Sequence, residues 1–180
     1  MHIPDGYIGP VTYGSLWAAM VPAWGYASRR MKDTLQTARI PSLAMGSVFS
    51  LAAMMFFLPL PGGTTGHVSG TTVLAILLGP WAAVLAVSVS LLIQAVVMGD
   101  GGITAIGANC FNVALVGSLA GYGAYRAILR VAAWFVRTET GEAREDGPPL
   151  SARLVAGGVA AYFAINLGAF FAAVELGLQP

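Results

Sequence analysis

The chain has 180 residues, of which 57% are hydrophobic and 9% charged, with a formal net charge of +1, and its mean hydropathy is +0.74. A soluble domain would carry roughly a quarter charged residues, so the composition is that of an integral membrane protein and gives no electrostatic footing for nucleic acid. The single cysteine, Cys110, excludes an intramolecular disulfide framework and any CxxC centre. The absence of GxxxxGK[ST] leaves any energy input to a partner or a gradient.

The start, MHIPDG, lacks a basic segment, and VTYGSLWAAMVPAWGYAS runs into RRMK rather than a small-residue cleavage site. Val11 to Ser28 is therefore predicted as a retained first helix, with Met1 kept because His2 is large. The loop RRMKDTLQTAR sets Arg29, Arg30, Lys32 and Arg39 against only Asp33, which makes it cytoplasmic and puts His2 outside. Ile40 to Leu58 is expected to return across the membrane, and PLPGGTTGHVSG to emerge as an uncharged outer loop carrying His67. Thr71 to Met98 would make one helix of about 42 Å at 1.5 Å per residue, too long for a hydrocarbon core of about 30 Å. Proline removes a backbone donor, so a break at Gly79-Pro80 is predicted, with a short helix Thr71 to Leu78 and a longer one Trp81 to Met98. GDGGITAIGAN then lies outside, Asn109 to Leu129 runs inward, and the charged 130–153 segment is cytoplasmic. RTETGEAREDGPP reads as a linker over 138–150, and Leu154 to Val174 as the last helix. The expected architecture is an all-α integral membrane bundle of about six transmembrane helices. It forms one domain over 1–180, with the N-terminus outside and tucked into the bundle.

The chain has two histidines, His2 and His67, and this topology puts both on the outer face. A free amine at Met1, the amide nitrogen of His2 and the His2 Nδ1 can bind one metal through a five-membered and then a six-membered chelate ring. One imidazole from His67 completes a square-planar N4 set that suits Cu(II) or Ni(II), whereas Zn(II) prefers a tetrahedron. The amide must lose its proton, so affinity is expected to fall at acidic pH. Asp5 reads either as nearby negative charge or as an ordinary turn residue. The same residues also read blandly, as an exposed terminus and a polar loop.

MHIPDG, GHVSGTTVLAILLGPWAAVLAV and GDGGITAIGAN followed by VGSLAGY resemble the NikM/CbiM family. These are the substrate-binding membrane components of energy-coupling-factor (ECF) transporters for nickel and cobalt. The likeness covers nearly the whole chain. It implies a metal held by Met1, His2 and His67, and partners comprising a membrane scaffold subunit, cytoplasmic ATPases and a small accessory membrane subunit. It also implies residence in a prokaryotic plasma membrane, with no organic cofactor. PDG after MHI and the TGHVSG loop look more like the nickel branch, so Ni(II) is the expected cargo and Co(II) the alternative. The family usually has a seventh helix beyond ELGLQP, where this sequence supports six.

Metal-bound imidazoles commonly donate their second nitrogen to a neighbouring group, and Asn109, Gln94 and Asp100 are the candidates for that role, with Asn166 weaker. Met20, Met45, Met54, Met55 and Met98 read as packing. Small residues at four-residue spacing (Ala19, Ala23, Ala27; Ser42, Gly46, Ser50; Gly117, Gly121) suit close helix contacts, inside the bundle or with the scaffold subunit. Two other functions compete. An intramembrane hydrolase would use Ser69 with His67, and a vitamin-binding relative would need an aromatic-lined pocket.

Overall fold

The computed structural model describes residues 2–32, 40–60, 64–140 and 148–179. Met1, residues 33–39 of the basic loop and residues 141–147 of the expected linker lie outside them. Helix α1 (Pro10–Lys32) opens on a proline, whose missing N–H is harmless in a first turn. Its last turn carries Arg29, Arg30 and Lys32, which favour the negative end of the helix dipole and prolong the helix past Ser28.

Helix α2 (Ile40–Met54) stops short of the expected Leu58. A hairpin takes the place of the expected loop: strands β1 (Phe57–Leu60) and β2 (Thr64–His67) pair antiparallel, with Phe57 opposite His67. Pro59 cannot donate within a helix, so the backbone leaves α2 and finds its partners across the strands. The register of this hairpin places His67 at the end of β2, next to the bundle.

Helix α3 (Thr71–Leu78) and helix α4 (Pro80–Ile93) are separated by Gly79, at φ 92° and ψ 154°. At about 12 Å, α3 cannot cross a membrane alone; it is packed among α4, α6 and α7. The glycine row of α6 makes room for it. A Cβ on Gly117 would lie 3.3 Å from Thr71 Cγ2, and one on Gly121 would collide with Thr72 Oγ1. Gly46 in α2 likewise accepts Leu78, so both rows serve packing within the chain.

Helix α4 ends in a wide π turn, Gln94–Met98, closed by Gly99. Helix α5 (Ile106–Asn109), a π segment (Cys110–Val116) and α6 (Gly117–Thr140) form one continuous rod. The rod starts before Asn109 and runs past Leu129, because arginine and glutamate propagate a helix as well as leucine does once the apolar stretch ends. Helix α7 (Leu150–Gly177) also exceeds its expected limits, entering from Pro149. Pro80–Met98 and Leu150–Gly177 are long and apolar enough to cross a membrane. Met20, Met54, Leu74, Val87 and Cys110 are central to the core, whereas Met45, Met55 and Met98 are exposed.

Candidate metal site

Residues 2–9 fold back against the start of the 106–140 rod, burying Ile3 and Ile8 on Ala105 and Ala108. A set of backbone contacts fixes this segment. The Ile3 N–H donates to Asn109 Oδ1 at 2.7 Å, and Asn109 Nδ2 donates back to the Ile3 carbonyl at 3.1 Å. The Gly102 N–H reaches the same carbonyl at 2.9 Å. Two residues on, the Asp5 carboxylate accepts the N–H groups of Ile103 at 3.0 Å and Thr104 at 2.9 Å, together with the Thr104 hydroxyl. The Thr104 hydroxyl first, and then these amides, hold the Asp5 carboxyl below its ordinary range. Two glycines permit the approach. Gly101 sits at φ +95°, where a Cβ would lie 3.3 Å from His2 Cβ, and a Cβ on Gly102 would run into the Asp5 backbone nitrogen.

The clamp delivers His2 to His67. Their ring centroids are 4.8 Å apart, inclined at 53°. Each side chain has almost no exposed surface, 3% for His2 and for His67. Burial pushes His67 down to about 4, with His2 adding to the effect, and burial lowers His2 despite the opposing pull of Asp100. Both rings are therefore neutral near pH 7 and carry the lone pairs a metal needs.

The residues expected behind the imidazoles divide. Asp100 Oδ2 lies 3.2 Å from His2, but at Nδ1, the nitrogen the chelate would use, while His2 Nε2 is buried with no hydrogen-bond partner among the described residues. Asp100 and a metal thus compete for one nitrogen. Asn109 holds the Ile3 backbone, not a ring. Gln94 is buried; its backbone carbonyl accepts the Asp100 N–H at 3.0 Å, fixing the loop that carries the carboxylate, while its side-chain Oε1 has no hydrogen-bond partner among the described residues. Asn166 is exposed and bonds to Tyr162 of its own helix at 2.7 Å. Among the described residues no group of three or more His, Cys, Asp or Glu side chains converges. A metal at the His2–His67 pair would therefore draw on backbone nitrogen.

Two features leave little mark in the sequence. One is the clamp itself, and the other is a buried pair in which Asn112 Nδ2 donates to Glu175 Oε2 at 2.9 Å. A lone acidic residue late in an apolar helix is the only signal for the second. The rival functions find little support. Ser69 Oγ is engaged by the Thr71 hydroxyl at 2.7 Å. The cavity behind it, lined by Ser69, Thr71, Asn112 and aliphatic residues, measures about 90 Å³, well below the roughly 300 Å³ at which small-molecule pockets begin.

Residues 2–180 match the family described as CbiM, cobalt uptake substrate-specific transmembrane region. The chain belongs to this family. It is 47% identical over its whole length to the fused nickel transport protein NikMN of Rhodobacter capsulatus, of which it covers 48%. It is 41% identical to the probable fused nickel transport protein LarMN of Lactiplantibacillus plantarum, covering 50%. The cobalt transport protein CbiM of Acetohalobium arabaticum is 35% identical over 73% of this chain, which covers 53% of that relative. The chain thus spans about half the length of these relatives. A crystal structure of a truncated transition metal transporter superposes with a TM-score of 0.85 at 40% identity, over 100% of this chain and 76% of that one. These relatives are named as nickel or cobalt transport proteins, and the matching family is described as a transmembrane region.

Proposed function

We propose that this CbiM-family chain captures Ni(II) on the outer face of a prokaryotic plasma membrane, as the substrate-binding component of an ECF-type transporter. In this reading the amine of Met1, the amide nitrogen and Nδ1 of His2, and the side chain of His67 supply the ligands. The observation that carries this reading is the His2–His67 contact, two buried neutral rings 4.8 Å apart that come from distant parts of the chain. Loading replaces the Asp100 contact at Nδ1 with the metal, and the carboxylate stands ready to accept the displaced proton. Energy comes from partners, a membrane scaffold subunit and cytoplasmic ATPases, with a small accessory membrane subunit. Residues 1–180 act as a single transmembrane metal-binding domain, with the 138–150 region on the cytoplasmic side.

Nickel is favoured by the relatives named for it, which match this chain at 47% and 41% identity. Co(II) is the second reading, and the family description favours it. The test is metal content of the purified chain with its native terminus and with one residue added before Met1. The native form is expected to hold one Ni(II) per chain and the extended form to lose it. Equal binding by both would remove the amine from the site and overturn the chelate.

A further inference from the structure

The end of the bundle remote from the histidines carries a charged groove that metal capture does not use. Arg126 and Arg130 lie one turn apart on α6, and Arg153 sits in the first turns of α7. All three are exposed, and all three line one concavity of about 450 Å³ floored by buried Tyr125. Among the described residues none of them has a carboxylate in ion-pair contact. Arg126 is braced instead by Tyr122, whose hydroxyl accepts from Nη1 at 3.3 Å and whose ring lies 5.8 Å below the guanidinium carbon.

Three guanidinium groups around one hollow repel each other until an anion enters. Arginine's planar fork fits a phosphate through two parallel hydrogen bonds, which a lysine cannot offer. Apolar side chains exposed close by on the same helices, Trp134, Leu150 and Leu154, mark this level as the boundary between hydrocarbon and headgroups. An anion bound there would stand among lipid headgroups. The hollow falls within the roughly 300–1,000 Å³ of small-molecule sites, and it opens beside the positive end of the α7 dipole.

We infer that Arg126, Arg130 and Arg153 form a binding site for the phosphate headgroup of an anionic phospholipid. The site is separate from the metal centre and does not depend on which metal is carried.

The experiment is native mass spectrometry of the detergent-solubilised chain titrated with phosphatidylglycerol or phosphatidylcholine. The wild type is expected to retain phosphatidylglycerol in preference to phosphatidylcholine. The triple variant R126Q/R130Q/R153Q should bind it about a hundredfold more weakly, roughly fivefold for each guanidinium. The double variant R29Q/R30Q, which removes charge from the other basic segment, should bind as the wild type does. Equal retention by the triple variant, or an equal loss in R29Q/R30Q, would overturn the site in favour of diffuse basic attraction. Displacement of the lipid by millimolar inorganic phosphate would overturn the lipid assignment in favour of a soluble anion. Circular dichroism and Ni(II) content of the triple variant serve as controls: both should be unchanged, so a failure of the metal reading would be recognised separately.

Discussion

Asn109→Ala is the most searching perturbation of the candidate metal site, because Asn109 directs its side-chain hydrogen bonds to the Ile3 backbone rather than to a histidine ring. It holds the Ile3 N–H at 2.7 Å and the Ile3 carbonyl at 3.1 Å, and is itself 4% exposed. Truncation leaves the carbonyl its bond from Gly102, but strands the N–H in a buried place. An unsatisfied buried donor costs about 1–3 kcal/mol. Taking about 2 kcal/mol as the loss in anchoring, the docked form of residues 2–5 becomes roughly 30-fold less favoured against the undocked form. With docking and release close to balanced before the clamp is cut, the docked fraction falls from about one half to about one thirtieth, and apparent Ni(II) affinity falls about 15-fold. The helical bundle should persist, since the backbone bonds of the 106–140 rod do not involve this side chain. The assay is competition of Ni(II) against a chelator of known affinity, with circular dichroism as the fold control. Affinity within twofold of the wild type in a folded variant would refute the view that the clamp presents His2.

The pH dependence has a definite sign. Burial holds folded His67 at about 4, against 6.5 when unperturbed, so the folded state binds fewer protons than the unfolded chain and stability is lost as pH falls from 6.5 toward 4. The melting temperature of the metal-free wild type should therefore drop more steeply over that window than that of His67→Gln. Two alanine substitutions should separate site from scaffold. Gly102→Ala forces a Cβ into the Asp5 backbone and should weaken Ni(II) retention with the melting temperature nearly unchanged. Gly121→Ala drives into Thr72 and should lower stability by about 1–3 kcal/mol, seen as a lower midpoint in thermal unfolding.

The features legible in the sequence are those that residue type alone dictates. The interruption at Gly79-Pro80 follows from a missing N–H, and α3 begins and ends where expected, at Thr71 and Leu78. The hairpin at 57–67 is hidden because a stretch rich in proline and glycine has no strand periodicity; its pairing is a long-range choice made when α2 can no longer continue. The π turns at 94–98 and 110–116 are equally hidden, since one extra residue per turn leaves no compositional mark. At the site, residue type points to His2, His67, Asp100 and Asn109, but not to their pairings. Asn109, expected behind an imidazole, instead serves a peptide group. Asp100, expected on the far side of the ring, instead faces Nδ1. Both differences arise from where the 99–105 loop sets its backbone, which glycines at 99, 101 and 102 allow but do not announce.

Gln179 accepts the Gly9 N–H at 2.6 Å and donates to the Thr12 hydroxyl at 3.1 Å, so the end of α7 returns to the segment that leads into His2. A segment joined beyond Gln179 would therefore start beside the residues that lead back to His2. On the proposed reading, a polyhistidine tag placed there would hang a string of rival imidazoles beside the His2–His67 pair, and purification by that tag would load or strip that pair.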